Sequence, residues 1–165
     1  MGKVLIYTDG AAKGNPGPGG YGIIFISGNR RKELMKGYRF TTNNRMELMS
    51  VIEALKALKK NNLDVTIYSD SKYVVDTVNR GWVFAWLKKG LDKKKNSDLW
   101  REFLKLYALH KPKFVWIKGH NLNPENERCD QMAVYASQME PTGIDSFYEN
   151  ETKKSKTGGI ANLEI

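Results

Sequence analysis

Along the chain, apolar residues first come in short β-branched runs and later recur at helical spacing, and this change of period gives a first outline of the elements. Residues 3–8 and 21–27 read as strands, and Gly28-Asn29 turns the chain into a third strand over 32–40. Between the first two strands, residues 9–20 are crowded with Gly, Pro and Asn and are expected to form a loop. Three strands with short connections predict an antiparallel meander. From Asn43 the period lengthens: Leu48, Val51, Ile52, Leu55 and Leu58 form one stripe that ends at Lys59-Lys60-Asn61-Asn62. A strand over 65–69, a helix over 71–78 and a break at Gly81 follow, then a short aromatic helix and a lysine-rich loop over 88–95. A longer helix over 97–109 leads to a strand over 114–117. The last helix begins after Pro124 and carries Cys129, Met132, Ala133 and Ala136 on one face.

This order implies an α/β protein: a mixed sheet whose first three strands are antiparallel, flanked by helices. After about residue 140 the apolar pattern fades into Gly, Ser, Thr and Lys. Residues 1–140 are therefore expected to form the domain, and 141–165 a tail that is flexible or only loosely docked. No internal repeat is visible.

Composition narrows the partners. The 165 residues suit one domain, and 41% apolar content opposes global disorder. One cysteine excludes an intramolecular disulfide, and one Cys with two His makes a structural zinc site a poor fit. Cys129 reads as a small buried hydrophobe. No run approaches the ~20 apolar residues of a membrane span. The N-terminus lacks signal-peptide length, and Ile6 stands where a myristoylation motif wants Ser or Thr. The expectation is a soluble cytoplasmic protein. Its net charge of +9 suits a polyanionic partner. Lys88, Lys89, Lys93, Lys94 and Lys95 lie among Trp82, Phe84, Trp86 and Trp100, a mixture able to neutralise phosphates and stack on sugars or bases. The plainer account is a solvated helix pair with its aromatics in the core, and for Trp100 its apolar neighbours favour that account.

Four acids stand at unusual places. Asp9 closes the first strand, Glu47 lies on the first turn of a helix, Asp70 ends a later strand, and Asp130 sits beside the Cys129-Ala133 face. Each has an ordinary explanation. Asn44 and Glu47 have capping-box spacing, Asp70-Ser71 could cap a helix, Asp9 could serve a turn, and Asp130 could face solvent. Jointly those explanations strain, because strand ends beside helix starts are where α/β proteins gather functional groups. If the four converge, divalent cations relieve their repulsion, and all-oxygen ligation favours Mg²⁺, with Mn²⁺ able to replace it. Two such ions ~4 Å apart can clamp a phosphodiester. His120, on a loop after a strand, could move protons there. His110 reads as an ordinary helix C-terminal cation. Gly17, Gly19 and Gly22 fit G-x-G-x-x-G but precede a strand rather than a helix, so no dinucleotide-binding loop is read.

Five segments carry a family resemblance: Tyr7-Thr-Asp-Gly-Ala-Ala-Lys-Gly-Asn-Pro-Gly-Pro-Gly-Gly-Tyr-Gly22, Thr41-Thr-Asn-Asn-Arg-Met-Glu-Leu48, Ser69-Asp-Ser-Lys-Tyr-Val74, Lys118-Gly-His120 and Asn126-Glu-Arg-Cys-Asp130. In order and spacing the chain resembles a type 1 ribonuclease H of the bacterial kind over about residues 1–140. The resemblance implies a ribonuclease H-like fold with a five-stranded mixed sheet. It implies an endonuclease that hydrolyses the RNA strand of RNA–DNA hybrids with two Mg²⁺ ions, leaving 5′-phosphate and 3′-hydroxyl ends. By similarity Asp9 bridges both ions, Asp130 serves the nucleophile side, and Glu47 and Asp70 the leaving-group side. His120 is then the histidine of proton transfer and product release. Asn15, Asn43 and Asn44 are similar to residues that read the hybrid minor groove. Lys72 falls among the substrate-binding positions, and Trp82, Lys88 and Lys89 resemble the basic protrusion that grips DNA. A monomer with no obligate protein partner and no membrane association is expected.

Two departures concern the pocket that in the family holds a DNA phosphate. Thr42 is retained, but Phe40 stands where Arg is frequent, and Ala85 is read at the place of a second pocket residue, commonly Asn. Arg39 does not compensate, since a one-residue shift on a strand reverses the side-chain direction. Weaker or differently built phosphate recognition is expected there. Asn121-Leu122-Asn123 also lacks the small residues frequent after the histidine. Two other readings are a DNA-acting nuclease of the same superfamily, opposed by the asparagine set, and a hybrid-binding module without catalysis, opposed by the four acids.

Overall fold

The computed structural model describes residues 2–140 and 143–163, with side chains through Ser155. Strands β1 (Lys3–Ala12), β2 (Gly17–Ser27) and β3 (Arg30–Thr41) form the expected antiparallel meander. Helix α1 (Asn43–Lys56) leads to β4 (Asp64–Ser69), which pairs in parallel with β1. Helices α2 (Lys72–Asn79) and α3 (Trp82–Lys89), a 3₁₀ turn at Leu91–Lys93 and α4 (Ser97–His110) precede β5 (Lys113–Trp116), parallel to β4. Helices α5 (Pro124–Gln138) and α6 (Ser146–Leu163) follow. The sheet order is β3-β2-β1-β4-β5, the mixed five-stranded arrangement expected.

The larger core lies between the sheet and α1, α2 and α4, where Ile6, Ile23, Leu48, Ile52, Ile67, Trp100 and Phe103 are buried together. Trp100 is fully buried, as its neighbours predicted. On the opposite face, α5 sets Cys129 and Met132 against Ile24, Tyr7 and Ile26. Burial pushes the Cys129 thiol up, so it stays a neutral hydrophobe.

The glycine-rich stretch differs from expectation. The loop read over 9–20 is mostly strand: Gly10 pairs with Tyr21 and Ala12 with Gly19, which confines the turn to residues 13–16. The glycines are there for close approach. A Cβ on Gly22 would sit 2.5 Å from the Cys129 carbonyl oxygen, and one on Gly20 2.7 Å from that of Ala133. A Cβ on Gly10 would strike the backbone amide of Glu47. With hydrogen as the side chain, α1 and α5 come down onto the sheet from opposite sides. The lysine-rich loop expected over 88–95 is also shorter, because α3 runs through Lys89 and buried Leu91 anchors the 3₁₀ turn.

Of the tail expected to be flexible or loosely docked, residues 143–149 are tied to the body of the domain. Gly143 exchanges backbone hydrogen bonds with β3, donating to the Gly37 carbonyl (3.1 Å) and accepting from Arg39 (3.2 Å). Asp145, 4% exposed, receives Arg45 Nε at 2.6 Å and Nη2 at 2.9 Å, and the Thr41 hydroxyl at 2.8 Å. Arg45, on α1 and 1% exposed, also grips Asp98 at the start of α4, at 2.9 and 2.7 Å. This segment is held by a buried charge cluster rather than by an apolar stripe, so hydrophobic periodicity could not detect it. No described helix is long and apolar enough to cross a membrane.

Candidate active site

The sheet register brings the carboxylates together. Thr8 of β1 lies beside Ser69 of β4 in parallel register, so the residues that follow, Asp9 and Asp70, leave neighbouring strands side by side. Glu47 reaches them because the α1 backbone rests on Gly10, immediately after Asp9. Asp9, Glu47 and Asp70 present carboxylate oxygens that all lie within 4.8 Å of one another. Asp9 pairs across the sheet with Gly22, which abuts the Cys129 carbonyl, and this sets Asp130 on α5 near enough for its charge to act on Asp9. Asp130 is not within the tight trio.

For three of these acids the ordinary explanations fail. The α1 cap is Thr42, whose Oγ1 accepts from the Arg45 amide, so Asn44 and Glu47 form no capping box. Ser71, not Asp70, caps α2 by accepting from the Val74 amide. Asp9 lies within a strand and is 4% exposed, far from a turn residue.

The electrostatics are those of a site awaiting positive charge. Burial, with the charges of Asp70 and Asp130 adding, pushes the Asp9 carboxyl up to about 8. Burial also holds Glu47 well above the usual carboxylate range, with the nearby Asp9 charge next in weight. Glu47 Oε2 is buried with no hydrogen-bond partner, a costly condition that a cation ligand would remove. An all-oxygen donor set with one orphaned oxygen fits a divalent metal of the Mg²⁺ or Mn²⁺ type.

Asp70 is tightly framed. Trp116 Nε1 donates to its carbonyl (3.1 Å), and Asn126 Nδ2 lies 3.5 Å from Oδ2. A Cβ on Gly119 would lie 2.8 Å from the same Oδ2, so the loop bearing His120 passes directly over this carboxylate. His120 itself is exposed, with a positive φ of 56°, and touches no carboxylate among the described contacts.

The other expected residues form two groups. Asn15 Oδ1 accepts from the Asn43 amide, and Asn43 Oδ1 accepts from the Ala12 amide. These bonds tie the turn at 13–16 to α1 through the amide oxygens, and the side-chain NH₂ groups have no hydrogen-bond partner among the described residues. Thr42 and Asn44 line a cavity beside Asn15. Farther off, Lys72 sits over the Trp116 ring at 5.0 Å. Trp82 is 46% exposed with Arg80 stacked on it, and Lys88 and Lys89 project at the end of α3.

One assignment needs correction. Ala85 is exposed on α3 and does not line the cavity beside Thr42, whereas Asn96, just before α4, lines it together with Asn15 and Asn44. Asn96 was hidden because it follows the lysine run and has a left-handed backbone (φ 63°), features that read as plain loop. The roles of Trp116, Asn126 and Gly119 around Asp70 were also missed. The Lys118-Gly-His120 and Asn126-Glu-Arg-Cys-Asp130 segments contained two of them without indicating whom they touch.

Comparison with known proteins agrees with this geometry. The RNase H family model matches residues 1–138. The chain is 52% identical over 152 residues to the ribonuclease H of Trichodesmium erythraeum, covering 89% of this chain and 96% of that protein. The crystal structure of LC9-RNase H1, a type 1 RNase H with the type 2 active-site motif, is similar with a TM-score of 0.75. Its identity is 32%, over 83% of this chain and 72% of that one. LC11-RNase H1, solved in complex with an RNA/DNA hybrid, gives a TM-score of 0.61 at 27% identity, over 81% of this chain and 96% of that one. With its matching family model, its sheet order and its carboxylate cluster, the chain belongs to the ribonuclease H family, in the type 1 bacterial branch.

Proposed function

We propose that the chain is an endonuclease that hydrolyses the RNA strand of RNA–DNA hybrids, leaving 5′-phosphate and 3′-hydroxyl ends. The observation that carries this reading is the convergence of Asp9, Glu47 and Asp70 from three separate elements, with a buried Glu47 oxygen left unpaired. Asp9, Glu47, Asp70 and Asp130 would hold two Mg²⁺ ions, or Mn²⁺ in their place. When bound, such a pair supplies an activated water and charge stabilisation for the leaving oxygen. Asp9, whose carboxyl feels the charges of both Asp70 and Asp130, would serve both ions, with Asp130 on the nucleophile side and Glu47 and Asp70 on the leaving-group side.

The chain's own groups do the rest. The frame of Trp116 and Asn126 fixes Asp70, so its carboxylate is oriented before substrate arrives. His120, exposed on the loop crossing Asp70, exchanges protons with solvent as product leaves. The free amide donors of Asn15, Asn43 and Asn44 suit the 2′-hydroxyls and minor-groove acceptors that mark an RNA strand. Lys72, Trp82, Lys88 and Lys89 offer charge and a ring face to the duplex backbone. The protein acts as a monomer, without a membrane or an obligate protein partner, in the cytoplasm.

The test incubates the protein with matched hybrid, double-stranded RNA and double-stranded DNA, with Mg²⁺ or with chelator. Hybrid alone should be cut, and only with metal. Cutting of all three duplexes, or cutting that survives chelator, overturns the reading. Asp70→Asn should abolish cleavage while hybrid binding remains measurable, and a fully active variant removes Asp70 from its role.

A further inference from the structure

Helix α5 carries Asn126 and Asp130, so the placement of its first turn bears directly on the carboxylate cluster. Most of the helix is seated by glycines: Gly22 admits Cys129 and Met132, while Gly20 and Gly37 admit Ala133 and Ala136. All of those contacts fall beyond the first turn. What β1 offers that turn is Tyr7, two residues before Asp9. Its ring packs beside Cys129 and Met132, and its carbonyl accepts from the Cys129 thiol at 3.3 Å. Its hydroxyl is hydrogen-bonded to the side chain of Asn123. Exposed pairs of Arg31 with Glu125 and of Glu33 with Arg128 also touch the start of α5, but surface pairs hold little.

Both partners of the Tyr7–Asn123 bond are themselves fixed. Tyr7 and Tyr68 stand opposite each other in the parallel register of β1 and β4, their rings stacked 4.8 Å apart at 14°. Asn123 caps α5: its Oδ1 accepts from the Asn126 amide at 3.0 Å, which leaves its Nδ2 to donate to Tyr7. Asn126, 3% exposed, in turn points Nδ2 at Asp70 Oδ2, 3.5 Å away. A phenylalanine at position 7 would stack and pack equally well, so the hydroxyl adds only the link to Asn123. On the other side of Asn123 lie residues 120–122, where His120 (φ 56°) and Leu122 (φ 61°) hold a left-handed backbone. Leu122 is 86% exposed. Asn123 is thus the point where an exposed stretch meets the helix that carries the site.

On the reading given under Proposed function, we propose that Tyr7 is a positioning residue for the metal site. Through Asn123 it pins the first turn of α5, so that Asn126 and Asp130 keep their places against Asp70 and Asp9 while the stretch bearing His120 moves. Tyr68 holds the Tyr7 ring in line for that contact.

The experiment compares wild type, Tyr7→Phe, Asn123→Ser and the double variant. Serine keeps a capping oxygen but lacks the amide that meets Tyr7. Three quantities are measured for each: kcat and KM on a hybrid, the Mg²⁺ concentration for half-maximal cleavage, and the rise in melting temperature on adding Mg²⁺. Tyr7→Phe should lower kcat roughly three- to tenfold, about the worth of one hydrogen bond, with KM within about twofold. The half-maximal Mg²⁺ concentration should rise about threefold or more, and the Mg²⁺-induced rise in melting temperature should shrink. Asn123→Ser should act in the same way, and the double variant should add little to either single change, since both remove one link. A Tyr7→Phe protein that melts lower without metal but keeps its kcat and both Mg²⁺ responses has lost only structure, and that result overturns the proposal. Additive effects of the two substitutions overturn it as well, as does a change confined to KM. If wild type cuts no hybrid, the functional reading has failed, and the Mg²⁺-dependent melting alone decides this proposal.

Discussion

Replacing Asp145 by Ala should destabilise the protein far more than its place in a polar tail would suggest. The carboxylate is 3% exposed in its side chain and receives three close hydrogen bonds, two from Arg45 and one from Thr41. Removing one partner of a buried pair costs about 3–5 kcal/mol, mostly through the charge left behind. Here Arg45 keeps its two bonds to Asp98, whose side chain is 23% exposed, so the lower end applies, about 3 kcal/mol. At ~2–4 °C per kcal/mol for a domain of this size, the melting temperature should drop about 6–12 °C. Arg45→Met should be worse, because it leaves Asp98 and Asp145 facing one another without a cation. The assay is thermal and urea unfolding followed by circular dichroism, at a fixed pH near 7 and moderate salt. A drop under ~2 °C for Asp145→Ala would refute the reasoning, since it would mean the ion pair contributes no more than a surface one.

The carboxylate cluster makes the metal-free protein sensitive to pH. In the fold Asp9 keeps its proton up to about pH 8, whereas an unfolded Asp releases it near ~4. The native state thus binds more protons across that window, and stability must fall as pH rises from about 4 to 8. Melting in chelator should show that decline, and Mg²⁺ at pH 8 should reverse it; a flat profile would count against the buried cluster. Gly22→Ala puts a methyl group 2.5 Å from the Cys129 carbonyl oxygen and 2.8 Å from Met132 Cβ. Strain of about 1–3 kcal/mol should result, and cleavage should fall at least tenfold as α5 lifts Asp130 away; unchanged kinetics would show that α5 can adapt. Asp70→Asn, described above, tests the chemistry.

The sequence by itself determined the element order through α5, the antiparallel start of the sheet and the four acids, but not α6 (Ser146–Leu163). Periods of 2 and 3.6 report which side chains must be buried, and the short motifs preserve local chemistry around Asp9, Glu47, Asp70 and Asp130. Tertiary structure decided what depends on distant residues meeting. The glycines of β2 looked like a loop because local propensity cannot sense that two helices must press on that strand. Asp145 fell in the stretch read as a flexible or loosely docked tail because its partner Arg45 lies 100 residues earlier in the chain. Asn96, and not Ala85, stands beside Thr42 because α4 packs against α1, a contact that no spacing rule encodes. The carboxylates themselves were legible as candidates, but their convergence rests on the parallel register of β1 with β4 and on Gly10 admitting α1. Local patterns specify what each residue can do, while long-range packing fixes which residues do it together.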